Sequence, residues 1–288
     1  MAVMEFSTVP AANGQGMHRI VLGVQYDGTP WQGWQTQPHG LTVQDKLESA
    51  LRQFTLSEIA TVCAGRTDSG VHAVEQVVHF DTPVVREMAS WVRGVNAFLP
   101  SSIAVRWACE VAADPPLAAA GRDNGFHARF SATSRTYHYL LYNHAVRSPL
   151  LHGKVGWTFR PLDVASMQEA AQYLVGQHDF SSFRAVECQA RSPIRTMESL
   201  QVRRQGDMII LTLKANAFLQ HMVRNIVGSL IMVGNGKQSP QWLAQVLEQR
   251  DRSCAAPTFM ADGLYLARVD YPAHWVLPQE DAAWPGPG

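Results

Sequence analysis

The chain of 288 residues lacks any uninterrupted apolar run of the ~18 residues that a membrane-spanning helix needs, which excludes an integral helical membrane protein. Cysteine is scarce. Cys63, Cys109, Cys188 and Cys254 are scattered, with no Cys-x-x-Cys pair and no Cys/His ligand spacing, so neither a disulfide framework nor a structural zinc site is encoded. There is no excess of charge of either sign: Lys+Arg and Asp+Glu both number 24. Bulk electrostatics therefore do not announce a nucleic-acid partner, and any RNA-binding surface must be a local patch. Lysine itself is rare, limited to Lys46, Lys154, Lys214 and Lys237, and the remaining cations are arginines, which suit bidentate phosphate contacts and stacking on bases. Residues 1–17 lack a basic segment followed by an apolar one and are poor in arginine, against both a secretory signal and an organelle transit peptide. They are expected to be a disordered leader, and a reducing cytoplasm fits the cysteines.

What is present is a globular pattern, 46% apolar, long enough for one large or two modest domains of the usual size, roughly 100 to 200 residues. Ile20, Leu22, Val24 and Tyr26 recur at period two and predict a strand running into a Gly/Pro/Trp-rich loop. Thr42 with Asp45 three residues on resembles a capping box, and Val43, Leu47, Ala50, Leu51 and Phe54 then share one helical face. Strands are expected at 59–63, 76–81 and 103–111, a helix at 86–98, and a linker at 112–125, where adjacent prolines and glycines break both periodicities. The second half predicts a strand at 134–143, a helix capped by Asp163 and ended by Gly176, and a hairpin turning at Gly206-Asp207. Helices from Phe218 to Val233 and from Ser239-Pro240 follow, then a closing strand at 263–271. This succession favours an α+β architecture: an N-terminal lobe (18–115), a C-terminal lobe (126–272) and a tail (273–288).

The segment Gly65-Arg66-Thr67-Asp68-Ser69-Gly70-Val71-His72 places one carboxylate among small and basic residues between two predicted strands. By residue type alone Asp68 reads more readily as a turn aspartate bonding nearby backbone N–H groups. The wider pattern decides the expectation. GRTDSGVHA resembles the catalytic motif of the bacterial tRNA pseudouridine synthase A family, and the likeness continues in order. It runs through YDGTPWQGWQ (26–35), NAFLP (96–100), FHARFSATSRTYHY (126–139), GQHDFSSFR (176–184), FLQHMVRNIVG (218–228) and APTFMADGLYLARVDY (256–271). A serine follows Asp68 where the family usually has alanine.

The resemblance implies a pseudouridine synthase fold, two lobes with mainly antiparallel sheets flanked by helices and a central active-site cleft. It implies isomerisation of uridine in the tRNA anticodon stem-loop, at positions 38, 39 and 40, by a cytoplasmic homodimer that needs no cofactor or metal. Asp68 takes the role of the catalytic nucleophile, and Tyr137 that of the residue contacting the target uridine. Breaking the C1′–N1 bond and rejoining C5 to C1′ asks for a carboxylate near C1′, in the manner of glycosidase carboxylates, whether it attacks, takes a ribose proton or stabilises cationic character. Such an aspartate must stay ionised where water is excluded, and desolvation favours the neutral acid, so a cation is required. Arg224 is the candidate: it lies beside Met222, Val223, Ile226 and Val227, where an arginine is costly unless paired, and the family places an arginine there. Arg66 reads either as a clamp on the displaced nucleotide or a phosphate, or as a solvated loop residue.

Other features weigh less. Trp31 and Trp34 are candidates to stack on RNA, although buried loop anchors are the commoner use. His178-Asp179 resembles a dyad, but adjacent side chains seldom face each other, and His72 and His221 lack metal-ligand spacing. Asp27-Gly28-Thr29 matches the end of an aspartyl-phosphatase motif whose other carboxylate position is Gln25 here, against that chemistry. A non-catalytic RNA-binding module would have no use for Asp68 in its motif.

Overall fold

The computed structural model describes residues 16–111 and 125–278; the leader as far as residue 15, the linker expected at 112–125 except Gly125, and the tail beyond residue 278 lie outside them. The first half forms β1 (His18–Tyr26), α1 (Val43–Thr55), β2 (Val62–Cys63), β3 (His72–Thr82), α2 (Met88–Asn96) and β4 (Ile103–Val111). β1 lies antiparallel between β3 and β4, and it is buried on both faces from Ile20 to Val24. α1 starts as expected: the Thr42 hydroxyl accepts the Asp45 N–H at 3.2 Å and donates to the Asp45 carboxylate at 2.5 Å. Its buried face, Val43, Leu47, Ala50 and Leu51, is the predicted one. Trp91 of α2 packs edge-on against Phe54 and Phe80, which ties both helices to the sheet.

The second half forms β5 (Ser134–Asn143), β6 (Gly156–Thr158), α3 (Val164–Gln172), β7 (Gly176–Asp179), β8 (Ile194–Gln205), β9 (Met208–Ala215), α4 (Met222–Gly234), α5 (Trp242–Gln249) and β10 (Leu264–Asp270). The strands join in one sheet of order β4-β1-β3-β10-β5-β9-β8-β7, with β2 attached to β3 and β6 to β5. Pairing is mainly antiparallel. The exceptions are β6 on β5 and the junction between the halves, where β10 runs parallel to β3 with Tyr265 opposite His72 and Leu266 opposite Ala73. On its other edge β10 sets Leu266 opposite Tyr137 of β5. The last strand among the described residues thus carries the second half onto the first, next to the segment that holds Asp68.

Several boundaries differ from the periodicity. The strand expected at 59–63 is reduced to Val62–Cys63, because side chains of α1 take the backbone of Thr61: Glu48 accepts its N–H at 2.8 Å and Gln44 donates to its carbonyl at 3.2 Å. The helix capped by Asp163 ends at Gln172, and Gly176, at φ +111°, opens β7 instead. The helix expected from Phe218 begins only at Met222, since His221 turns into the left-handed region at φ 60°. α5 likewise starts two residues after Pro240.

Candidate active site

The loop between β2 and β3 is fastened along most of its length. The Gln76 amide clasps Gly65, donating to its carbonyl at 2.6 Å and accepting its N–H at 3.3 Å. The Thr67 hydroxyl bonds the Tyr26 hydroxyl at 2.7 Å, and the Thr67 carbonyl accepts the Trp34 N–H at 3.0 Å. Asp68 opens a turn closed by the Val71 N–H at 3.1 Å, with Gly70 at φ +79° inside it. The 26–35 loop is the cradle: at Gly33, φ +84°, an added Cβ would stand 2.9 Å from the Thr67 carbonyl oxygen. Trp31 and Trp34 are buried anchors of this cradle, Trp34 packing on Tyr26, and neither offers a free face to RNA.

On the other side, Arg135 of β5 is buried without a carboxylate. Its guanidinium donates to four backbone carbonyls, those of Ala64, Arg129, Ala132 and Asn216, at 2.6 to 3.3 Å. It thereby ties the start of the Asp68 loop to two neighbouring segments, and burial lowers its pKa from the ordinary value. Nothing in the residue types around it set Arg135 apart from other strand arginines, and sequence reasoning missed it.

Of the four site residues expected, the fold brings three together. Arg224 donates through Nη1 to Asp68 Oδ2 at 3.2 Å, and through Nε to the Phe259 carbonyl at 2.8 Å. Their side chains are 17% and 27% exposed, so the pair is mostly shielded yet open to a ligand on one side. Tyr137 is buried and packs edge-on against Phe218 with ring centroids 5.0 Å apart. Burial, and after it the charge of Asp68, push its phenol well above the ordinary value, so it stays a neutral ring beside the carboxylate. Arg66 is exposed and makes no hydrogen bond or ion pair among the described residues, which leaves its guanidinium available at the rim. Tyr139, two positions from Tyr137, is a core residue whose hydroxyl bonds the Met260 carbonyl at 2.9 Å.

A fourth group joins the centre: His221 Nε2 lies 3.4 Å from Asp68 Oδ2. No helical spacing signals it in the sequence, because His221 stands just before α4 in the left-handed region at φ 60°. His178 and Asp179 do not meet as a dyad, since His178 bonds the Val175 carbonyl and Asp179 accepts from Ser181. Asp27 is occupied by Lys154, Thr29 and the edge of His72. His72 bridges Gly28 and Asp262, and burial lowers its pKa. Among the described residues no three His, Cys, Asp or Glu side chains are grouped to hold a metal.

The site so described sets the Asp68 carboxylate beside the Arg224 guanidinium, with Tyr137 near enough to feel its charge. A family model described as tRNA pseudouridine synthase matches residues 23–114 and 170–272. The chain belongs to that family. Asp68, His221 and Arg224 fall inside the matched segments, while Arg135 and Tyr137 lie between them. The tRNA pseudouridine synthase A of Herminiimonas arsenicoxydans is 68% identical over 263 residues, 91% of this chain and 93% of that protein. That of Janthinobacterium sp. (strain Marseille) is 66% identical over 93% of this chain and 96% of its own length, and that of Bordetella avium (strain 197N) is 56% identical over 92% and 96%. The family is one of isomerases, and its pseudouridine synthase fold agrees with the mixed sheet and five helices described above.

Proposed function

We propose that this chain isomerises uridine to pseudouridine in the anticodon stem-loop of tRNA, at positions 38, 39 and 40 as the family does, with Asp68 as the catalytic nucleophile. The observation that carries the reading is the Asp68–Arg224 pair, set in a loop fastened on both sides and open to solvent at the carboxylate. The C1′–N1 bond must break, the uracil must turn, and C5 must bond to C1′ while the C5 proton is lost to solvent and N1 regains one. Asp68 acts at C1′, and the Arg224 guanidinium against its Oδ2 supplies the opposite charge. Tyr137 offers a neutral, immobile ring against which the uracil turns. Arg66, free at the rim, holds the extruded nucleotide or its phosphate; extrusion costs a few kcal/mol that such contacts offset.

The reaction as proposed uses no cofactor. The protein works in the cytoplasm as a homodimer, in which two copies of a chain with no net charge assemble a basic cleft. No helix among the described residues is long and apolar enough to cross a membrane, in keeping with this. The lobes expected at 18–115 and 126–272 both contribute to binding the stem-loop.

The test is tritium release from tRNA carrying C5-tritiated uridine. The protein should release tritium and Asp68→Ala should bind the same tRNA without releasing it. Substantial release by the variant would sink the nucleophile assignment, and none by the unaltered protein would sink the reading itself.

A further inference from the structure

His221 occupies a backbone conformation that side-chain-bearing residues disfavour. Its φ of 60° lies in the left-handed region, and although it precedes the first residue of α4 its side chain makes no capping bond. The surroundings enforce this. Leu219 and Met222 on either side are buried, the Gln220 carbonyl accepts the Ala185 N–H at 3.0 Å, and the His221 carbonyl already accepts the Asn225 N–H at 2.9 Å. Glycine or asparagine would sit there with less strain.

What the histidine gains is direction. Its Nε2 lies 3.4 Å from Asp68 Oδ2, the same oxygen that takes Arg224 Nη1 at 3.2 Å. At this distance the imidazole faces the carboxylate within ion-pair range. Among the described residues no hydrogen bond or ion pair reaches Asp68 Oδ1. From these observations we infer that His221 is a positioning residue: with Arg224 it fixes the Asp68 carboxylate through Oδ2 and so presents Oδ1 to the ribose of the target uridine. Backbone strain at His221 is the means by which the imidazole is aimed at Asp68 and not at the end of its own helix. The inference rests on Asp68 being the catalytic carboxylate.

His221→Gly and His221→Asn test it, since both accept the left-handed conformation and neither reaches Asp68. Melting temperature, tRNA affinity and the single-turnover rate of tritium release are measured for each. The expected result is a melting temperature equal to or above that of the unaltered protein, affinity within about threefold, and a rate lowered roughly tenfold or more. A rate within about twofold of the unaltered protein, a loss confined to tRNA affinity, or a rate loss that tracks a fall in melting temperature would overturn it. Asp68→Ala, run alongside, separates the two claims: activity surviving in that variant removes the role of Asp68, whereas activity lost there and kept in both His221 variants removes only the role of His221.

Discussion

Arg224→Met removes one guanidinium and leaves its volume nearly filled, so its effects can be worked from two bonds. The first is the contact with Asp68 Oδ2 at 3.2 Å between side chains 17% and 27% exposed. Exposed pairs contribute about 0–1 kcal/mol and truncation of one partner of a buried pair costs about 3–5 kcal/mol. Most of both side chains is covered, which places this loss at about 2–3 kcal/mol, or roughly 30- to 150-fold in rate if Asp68 must remain ionised in the transition state. The second is the bond from Nε to the Phe259 carbonyl at 2.8 Å, whose loss costs about 1 kcal/mol and lowers the melting temperature by about 2–4 °C. Arg224→Lys keeps the charge, but its single Nζ cannot serve both oxygens, so it should fall between Met and the unaltered protein. The assay is single-turnover tritium release with the melting curve beside it. If Arg224→Met stays within about fivefold of the unaltered rate, Asp68 does not depend on the pair and the argument from desolvation fails.

Gly33→Ala should reduce activity more than stability, because its Cβ would meet the Thr67 carbonyl at 2.9 Å and push on the backbone next to Asp68; parallel rate and melting curves check it, and an unchanged rate would show that the cradle does not hold the loop. Burial, helped by Arg19 and His127, lowers His79 from 6.5 to about 4, and its Nδ1 accepts the Ala128 N–H at 3.1 Å. The folded state therefore binds fewer protons than the unfolded state between these values, so stability is full above pH 6.5 and is lost as pH falls through about 4. His79→Asn keeps an acceptor without the titration, and denaturation midpoints from pH 7 to 4 should fall less steeply in that variant; identical slopes would contradict the assignment. Activity should survive treatment with EDTA, and a loss restored by added metal would refute the cofactor-free reaction.

The strands and amphipathic helices were legible because their burial follows simple periods, as the buried face of α1 shows. The boundaries that failed were decided by single positive-φ residues or by partners distant in sequence. Thr61 is taken from the sheet by Glu48 and Gln44, and no local period encodes that. The parallel seating of β10 against β3 was equally hidden, since nothing in Leu264–Asp270 states which strand it will join. At the site, Arg224 could be anticipated because an arginine among apolar residues needs a partner, and the fold supplies Asp68. His221 could not, since its place depends on one left-handed residue. Arg135 was missed for a related reason: its partners are backbone carbonyls, which carry no residue identity to read.

The central claim, that the Asp68 carboxylate performs the isomerisation, is tested most directly by Asp68→Asn, which keeps the shape of the side chain and removes its charge. Purified variant and unaltered protein are incubated with the same tRNA, and binding and pseudouridine at positions 38, 39 and 40 are measured together. The account predicts that Asp68→Asn binds the tRNA and forms no pseudouridine at any of the three positions. Pseudouridine formed by the variant at a rate comparable to that of the unaltered protein would contradict it.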